Sequence, residues 1–345
     1  MNLLEVDRLV KHFPIREGTV FRRTVGQVRA VDGVSLTLAP GETLGLVGET
    51  GSGKSTLARC IAGLHPVSSG TVTFDGQDIT NLSRSAMRPF RRDIQVMFQD
   101  PYGSLNPRRR AGSIIADPLV IHGVGTPEER RRTVAELMER VGLNPEHHDR
   151  FPAEFSGGQR QRIGVARALA LRPRLIICDE PVSALDVSIQ AQILNLLMDL
   201  QDDYGLTYLF IAQDLSVVRH VSDRIAVMYL GRLAELAEAD ELYDHPRHPY
   251  SDALLSATAV ADPDVADRRE RVILTGDVPS PIDPPSGCRF HPRCPRAQEI
   301  CATEQPALEG TVPEGTVPEG TMAAGAPHLT ACHFPIGQPA DGGTR

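Results

Sequence analysis

The sequence lacks any run of 18 apolar residues, a length close to what a helix needs to cross a bilayer. This absence excludes a membrane-spanning helix. Residues 1–7 also lack the charged-then-apolar pattern of an export signal, so we expect a cytoplasmic protein. Basic residues are not in excess: 36 basic and 44 acidic residues give a net charge of −8, which argues against a general nucleic-acid binder.

Cysteine is scarce, with six residues in 345, and four of the six fall in the C-terminal quarter. In a reducing compartment such residues are thiols or metal ligands rather than disulfides. Cys60 and Cys178 lie in apolar stretches and are expected in the core. With 41% hydrophobic and 23% charged residues, the composition is that of a soluble globular protein with two or three compact units.

Residues 48–55 read G-x-x-x-x-G-K-S, the pattern of a phosphate-binding loop. The apolar residues 43–47 predict a buried strand before it, and residues 56–62 predict a helix after it. Glycines let backbone amides turn toward phosphate oxygens, and the helix start adds its positive dipole end. We expect Lys54 to reach the β- and γ-phosphates and Ser55 to bind Mg²⁺. The residues predicted to bind nucleotide here are Gly48, Glu49, Thr50, Gly51, Ser52, Gly53, Lys54, Ser55 and Thr56.

An acidic pair, Asp179 and Glu180, follows the apolar residues 175–178, which predict a buried strand. Asp179 suits a Mg²⁺ site beside the phosphate-binding loop, because carboxylate oxygens are hard ligands. Glu180 is predicted to face the γ-phosphate and to polarise the attacking water. The alternative is a buried acidic pair that only caps a helix.

A second anion-binding helix start is predicted at Ser156, which suits the N-cap position and is followed by Gly157 and Gly158. The two glycines expose backbone N–H groups at the start of the helix. Taken alone, this Ser-Gly-Gly-Gln motif is a weak signal.

Strand-like and helix-like patterns alternate along the chain, which predicts a mostly parallel sheet covered by helices. Residues 3–13 are predicted to form an edge strand, residues 14–27 a loop or a hairpin, and residues 28–38 a half-buried strand. Residues 102–155 have a helical pattern and predict a small helical subdomain. Within it, the motif from Thr126 to Glu129 predicts a helix start with a capping box.

The motifs taken together resemble the ATP-binding cassette of ABC transporters. The resemblance covers residues 1 to about 240 without a gap. The residues that carry it, in the order and spacing of the family, are the phosphate-binding loop 48–56, Gln99 after the strand 94–98, Ser156-Gly157-Gly158-Gln159, Asp179-Glu180-Pro181 and Ser183-Ala184-Leu185-Asp186.

This resemblance implies an α/β fold of the P-loop NTPase class. It has a RecA-like parallel sheet, an antiparallel β subdomain, a helical subdomain at about residues 100–160 and a small cysteine-containing C-terminal extension. The implied division is a cassette at residues 1–240 and an extension at residues 241–345. The five-residue repeat EGTVP within residues 309–322 predicts a disordered or solvent-exposed excursion.

The family pattern also implies that two cassettes pair head to tail, with each ATP held between one phosphate-binding loop and the Ser-Gly-Gly-Gln helix of the partner. Ser156, Gly158 and Gln159 would then serve the ATP bound on the partner. Gln99 would contact Mg²⁺ and the attacking water and sense the membrane subunit. Phe13 matches the aromatic position that stacks on adenine, or else it is an ordinary apolar strand residue.

One position departs from the family pattern. Where the family has a histidine that contacts the γ-phosphate, this chain has Gln213. Glutamine can form hydrogen bonds, but it cannot carry charge or shuttle a proton. The implied catalytic residues are therefore Glu180, Gln99 and Gln213, and we expect slow hydrolysis. A regulatory cassette whose partner performs the chemistry is the alternative.

Residues 277–295 resemble the C-terminal tail of ATP-binding subunits of dipeptide and oligopeptide importers, a tail that also occurs on relatives that import nickel or glutathione. Its cysteine spacing does not fit the short pairs that zinc sites favour. The family tail implies a 4Fe-4S cluster on four thiolates, with zinc or free thiols as alternatives. The ligands would be Cys288, Cys294, Cys301 and Cys332. His245 and His248 lack an evident third ligand and are predicted to lie in a Pro-rich loop.

The resemblance implies an ATPase, with ATP and Mg²⁺, that energises a bacterial-type importer of di- or oligopeptides from the cytoplasmic face of the membrane. A nickel- or glutathione-like solute is an alternative. The implied partners are a second ATP-binding subunit, related or identical, two transmembrane permeases and, indirectly, an extracytoplasmic peptide-binding protein. No nucleic acid is expected. A soluble ABC-type ATPase that acts on ribosomes or DNA is the competing class, and it is disfavoured because this chain has one cassette and no long insert.

Overall fold

The structure, a computed structural model, describes residues 1–17, 23–99, 101–257, 274, 276–311 and 327–337. The strands are β1 (Leu4–Glu17), β2 (Arg23–Leu38), β3 (Thr43–Val47), β4 (Ser69–Phe74), β5 (Gln77–Asp78), β6 (Ile94–Met97), β7 (Leu175–Asp179), β8 (Thr207–Ala212), β9 (Arg224–Tyr229), β10 (Arg232–Glu238), β11 (Glu309–Thr311) and β12 (His328–Thr330).

The α-helices among these residues are α1 (Lys54–Ile61), α2 (Phe90–Asp93), α3 (Pro101–Ser104), α4 (Ala111–His122), α5 (Pro127–Arg140), α6 (Gly157–Leu169), α7 (Val187–Tyr204), α8 (Leu215–Val221), α9 (Ala239–Asp244), α10 (Pro249–Ala257) and α11 (Glu299–Thr303). Short 3₁₀ helices span Pro145–Asp149, Pro152–Glu154 and His291–Arg293.

Two sheets form the framework. The larger sheet has the strand order β11-β12-β10-β9-β3-β8-β7-β6, and the strands from β9 to β6 are parallel. The smaller sheet is antiparallel, with the order β2-β1-β4-β5. The predicted α/β architecture, a parallel sheet with an antiparallel subdomain, is confirmed.

The central strands of the larger sheet are buried on both faces. Along β7, Ile176 and Cys178 pack into one hydrophobic cluster, whereas Leu175 and Ile177 pack into the other. Side chains alternate between the two faces of a strand, so a continuous apolar run contributes to the hydrophobic cluster on each face of the sheet. Cys60 is also buried, and the prediction that Cys60 and Cys178 are core residues is confirmed.

One of the two predictions about the first strands needs correction. Strand β1 is not an edge strand, because it pairs with β2 on one side and β4 on the other. For residues 14–27 the hairpin alternative holds in the described part, because β1 continues to Glu17, β2 begins at Arg23 and the two strands pair. Cross-strand pairing with β2 stabilises this polar stretch in extended form despite its weak apolar alternation.

The C-terminal extension adds strands to the larger sheet, which the sequence analysis did not predict. Strand β12 pairs with β10, and β11 pairs with β12. At this junction the fully buried Glu235 accepts hydrogen bonds from the backbone N–H groups of Arg247 and His248, and its carboxylate lies 2.6 Å from Nε2 of His328. The predicted excursion begins in β11, and residues 312–322 of it lie outside the described residues.

The helical subdomain is present between β6 and β7. Its α5 begins with the predicted capping box: the Thr126 hydroxyl accepts a hydrogen bond from the Glu129 N–H, and the Glu129 carboxylate accepts one from the Thr126 N–H. His245 and His248 lie in the short loop between α9 and α10, as predicted. Among the described residues, no helix combines the length and apolar character that crossing a bilayer requires.

The capping box gives a stability prediction. We expect Thr126→Ala to lower the free energy of unfolding by about 1 kcal/mol, because the Glu129 N–H loses its acceptor. Urea unfolding followed by circular dichroism measures the change. Thr126→Ser keeps the hydroxyl and serves as the control, and equal stability of the alanine and serine variants would contradict the prediction.

Candidate nucleotide-binding site

The phosphate-binding loop connects the end of β3 to the start of α1. Gly48, Gly51 and Gly53 have positive φ angles of 154°, 82° and 107°. A Cβ atom at Gly48 would lie 2.1 Å from the carbonyl oxygen of Met228, and one at Gly53 would lie 2.0 Å from that of Ala30. Only glycine fits these two positions, so backbone packing sets the loop in a conformation of the kind whose amides can face an anion.

The Lys54 amine lies inside the loop. It donates hydrogen bonds to the carbonyl oxygens of Gly48 and Glu49, at 2.6 Å and 3.0 Å, and lies 3.3 Å from the Ser52 hydroxyl. Burial lowers the pKa of Lys54, although nearby Glu180 acts in the opposite direction. A buried cation among backbone dipoles is suited to bind phosphate oxygens.

Ser55 and Asp179 meet at the carboxyl end of the sheet. The Ser55 hydroxyl, in the first turn of α1, donates a hydrogen bond of 2.7 Å to Oδ1 of Asp179 at the end of β7. Burial raises the pKa of Asp179, and the hydrogen bond from Ser55 partly offsets this. A hydroxyl and a carboxylate oxygen side by side next to the loop are hard oxygen ligands that suit Mg²⁺.

The three residues predicted to be catalytic converge on one carboxylate. Oε2 of Glu180 accepts a hydrogen bond of 2.6 Å from Gln99, and Oε1 accepts one of 2.8 Å from Gln213. The N–H of Glu180 donates to the Ile211 carbonyl oxygen in β8. The two glutamines follow β6 and β8, the two neighbours of β7, so parallel strand ends bring these side chains together.

Glu180 itself is buried and has a φ of 50°, a conformation that few non-glycine residues adopt. Such strain concentrates at functional sites, where the surrounding structure holds the residue in place. A carboxylate fixed in this way beside Asp179 can orient a water molecule and accept its proton.

The second helix start is formed as predicted. Ser156 is the N-cap of α6, and a capping box links its hydroxyl to the Gln159 N–H and its N–H to the Gln159 side chain. A Cβ at Gly158 would lie 2.6 Å from Cγ2 of Ile189 in α7, which explains the glycine. Ser156 is exposed, and none of the described hydrogen bonds or ion pairs links Ser156, Gly158 or Gln159 to the phosphate-binding loop. The site residues therefore form two groups.

Phe13 lies in β1 with its ring half-buried. The ring meets His65 edge-on at 5.6 Å between centroids, and the Lys11 amine lies 4.7 Å from its centre. Adenine stacking on Phe13 stays a prediction.

The four cysteines of the extension line one small cavity, together with His248, Phe290, His291 and His333. Their thiols are free. Burial raises the pKa of Cys288 and Cys294, and it raises the pKa of Cys332 to about 12. In the described part of the chain, no group of three or more His, Cys, Asp or Glu side chains has the arrangement of a site for a metal ion. The lining cysteines are Cys288, Cys294, Cys301 and Cys332.

Sequence reasoning missed two residues of the extension that contact the phosphate-binding loop. Arg293 pairs with the Glu49 carboxylate, and the Tyr250 hydroxyl accepts a hydrogen bond from the Glu49 N–H. Arg293 precedes Cys294, so the only available signal was its place in the cysteine-bearing segment.

Two helix starts of the kind that can bind anions, one of them beside a buried carboxylate that can orient water, are the components that an ATP-binding cassette requires. Comparison with known proteins agrees with this class. The profile of the ABC transporter family matches residues 31–183. The profile of the oligopeptide/dipeptide transporter C-terminal region matches residues 234–301.

Individual relatives extend this match to most of the chain. The oligopeptide transport ATP-binding protein AppF of Bacillus subtilis (strain 168) is 53% identical over 332 residues, covering 96% of this chain and 97% of that protein. The dipeptide transport ATP-binding protein DppF of Escherichia coli (strain K12) is 49% identical over 307 residues, with coverages of 89% and 91%. The chain therefore belongs to the ATP-binding subunits of the dipeptide/oligopeptide family of ABC transporters.

A solved structure supports the same fold. The dimeric post-hydrolysis state of the ATP-binding cassette MJ0796 bound to ADP and Pi matches with a TM-score of 0.61 and 29% sequence identity. The match covers 68% of this chain and 98% of that chain. The chain is an ABC-type ATPase.

Gln213 gives a prediction about the rate of hydrolysis. We expect Gln213→His to raise the ATPase rate of the purified chain by about tenfold, because an imidazole can carry charge where the amide cannot. In the present arrangement each Glu180 oxygen accepts one hydrogen bond from a glutamine amide, and a histidine at position 213 would change one of these two contacts. Phosphate release measures the rate, Gln213→Asn is the control, and an unchanged rate in the histidine variant would contradict the prediction.

Proposed function

We propose that this chain lies at the cytoplasmic face of a membrane and energises the import of di- or oligopeptides through two permease subunits. The observation that carries the proposal is the extent of similarity. Relatives whose names specify oligopeptide or dipeptide transport match both the cassette and the C-terminal extension, up to 96% of this chain. A cassette alone would not distinguish peptide transport from other ABC functions.

The site supports separate roles for its residues in binding and hydrolysing ATP. The Lys54 amine and the loop amides other than those of Glu49 and Ser52 bind the phosphates. Ser55 and Asp179 would hold Mg²⁺, which neutralises charge on the phosphate oxygens when it is bound. Glu180 orients the attacking water and accepts its proton, while Gln99 and Gln213 fix the carboxylate.

The exposed helix start supports a paired arrangement. Ser156 is exposed, and Ser156, Gly158 and Gln159 make no described hydrogen bond or ion pair with the phosphate-binding loop of their own chain. In the proposed assembly they close over ATP on a second cassette, either another copy or a related chain. Closure of this pair on ATP and reopening after hydrolysis would move the permeases.

We propose the permease contact at the surface near Gln99 and residues 103–107, where Gln99 follows β6. Phe98, beside it, is an exposed aromatic residue, with 39% of its surface accessible. A short permease helix at this surface would connect membrane movement to the residue that holds Glu180.

Copurification and transport test the peptide proposal together. The chain, expressed with its native neighbours and extracted in mild detergent, should bring down two membrane permeases. In proteoliposomes with the binding protein, the complex should take up di- or oligopeptides in an ATP-dependent manner. Nickel and glutathione are the control solutes, and uptake of either one in place of peptides would contradict the proposal.

A second candidate function concerns the four-cysteine cavity, where we propose a 4Fe-4S cluster. Four free thiols around one cavity supply the ligand type and number that such a cluster uses.

Iron and acid-labile sulfide in the anaerobically purified chain test the cluster. We expect both in the wild type and neither in a Cys294→Ser/Cys332→Ser variant, with Cys60→Ser as the control that keeps the four ligands. Zinc bound without sulfide, or four thiols that all react with an alkylating reagent, would contradict the proposal.

A further inference from the structure

The phosphate-binding loop contains its own negative charge, at Glu49. The Arg293 guanidinium binds this carboxylate through two nearly parallel hydrogen bonds, of 2.8 Å from Nη1 and 3.1 Å from Nη2. Only 8% of the Arg293 side chain is exposed, against 25% for Glu49. A two-point pair of this kind is among the stronger and more directional ion pairs in proteins.

Tyr250 holds the same residue by its backbone. The Tyr250 hydroxyl accepts a hydrogen bond of 2.8 Å from the Glu49 N–H, and the tyrosine is fully buried. Its ring packs against Tyr229, whose hydroxyl is 3.4 Å from Nη1 of Arg293. Residues from β9, α10 and the 3₁₀ helix His291–Arg293 thus form one buried group behind the loop.

A second arginine of the same segment supports the loop from another side. Arg289 donates to the Leu230 carbonyl oxygen and to the Asp32 carboxylate in β2. The turn after Leu230 also contacts the loop, because the Gly231 N–H donates 2.8 Å to the Ser52 carbonyl oxygen. The cysteine-bearing segment therefore supports the loop at Glu49 directly and at Ser52 through Leu230 and Gly231.

We propose that Arg293 and Tyr250 are positioning residues for ATP binding. Arg293 neutralises Glu49, and Tyr250 fixes the Glu49 backbone, so that the loop keeps its anion-binding shape before nucleotide arrives. Without Arg293, the Glu49 carboxylate is an uncompensated negative charge within the loop that must receive the phosphates. Without the Tyr250 hydroxyl, ATP must order the loop as it binds, and the free energy of ATP binding becomes less favourable by that cost.

Charge compensation separates this role from a merely structural one. If Arg293 only attached the extension to the cassette, removing the Glu49 charge as well would do nothing for a protein that lacks the arginine. If Arg293 acts by neutralising Glu49, the same second change should restore ATP binding. The hydrogen bonds that Arg293 donates to Glu49 also raise the pKa of Arg293, so the guanidinium stays charged throughout the physiological pH range.

The experiment measures equilibrium ATP affinity of the full chain by competition against a fluorescent ATP analogue. We expect Arg293→Met to weaken affinity about tenfold, and Arg293→Met/Glu49→Gln to return it to within about threefold of the wild type. Arg296→Met removes an exposed cation beside the cysteine cavity and should bind ATP as the wild type does. An Arg293→Met variant with wild-type affinity, or a double variant as weak as the single one, would overturn the proposal.

Tyr250→Phe supplies an independent measurement that keeps the ring and removes only the hydroxyl. We expect a loss of affinity of about threefold, and no restoration by Glu49→Gln, because the partner of the hydroxyl is the Glu49 backbone. Unchanged ATP affinity in Tyr250→Phe would overturn the role proposed for Tyr250. If Arg293→Met did not fold, the same result would overturn the whole proposal. Thermal unfolding of each variant establishes that it is folded.

Discussion

ATP hydrolysis by the Glu180→Gln variant should fall by about a hundredfold to a thousandfold, with ATP binding retained. The amide occupies the volume of the carboxylate and can still meet Gln99 and Gln213, but it cannot accept a proton from water. The chain should therefore bind ATP and stall. Phosphate release under saturating ATP measures the rate, and competition binding measures the affinity.

Glu128→Gln is the matched control for this change, because Glu128 is an exposed acid in the first turn of α5. It should hydrolyse ATP at the wild-type rate. A Glu180→Gln variant that retained more than about a tenth of the wild-type rate would remove Glu180 from the role of general base and point to a different proton acceptor.

We expect Lys54→Met to lower the affinity for ATP by about a hundredfold. Methionine has a similar length and fills the buried space, so the fold should be kept. It removes the cation that three groups of the loop now surround, and no other amine lies among these contacts in the described structure. Competition binding measures the change in dissociation constant.

Arg131→Met serves as the control for Lys54→Met, since Arg131 is an exposed cation on α5. Its ATP affinity should equal that of the wild type. Retention of wild-type affinity by Lys54→Met would contradict the assigned role. Together the two main variants separate binding from chemistry: Lys54→Met should fail to bind, whereas Glu180→Gln should bind and fail to hydrolyse.

The parts of the site that the sequence predicts well are those with local signals. The phosphate-binding loop, the strand before it and the capping box at Thr126 all depend on residues within a few positions of one another. The meeting of Gln99, Glu180 and Gln213 is less local. It was still predictable from the resemblance, because the ends of adjacent parallel strands share one edge of the sheet.

The features that sequence reasoning missed depend on contacts between distant segments. Strand β12 has three residues, too few to show any periodic pattern, and its place beside β10 follows from packing alone. Likewise, nothing near Arg293 in the sequence indicates Glu49 as its partner, 244 positions away. The edge position predicted for β1 was wrong because strand order in an antiparallel sheet is set by pairing with β2 and β4, which composition does not encode.

The four cysteines of the extension were predictable in part. Their number and grouping predicted a common location, and the structure places all four around one cavity. Their spacing along the chain could not distinguish zinc, a cluster or free thiols, because the distances that decide this are set by the turns around Phe290 and α11.

The contacts of buried Glu235 bear on how the cassette and its C-terminal extension evolve. It belongs to β10 in the cassette, yet the backbone and histidine groups that contact its carboxylate, at Arg247, His248 and His328, all lie beyond residue 240. A premature stop codon near residue 240 would remove these groups and leave the edge of β10 unpaired and exposed. Cassette and tail are therefore expected to be inherited together, and a lineage that lost the tail should protect the edge of β10 in another way.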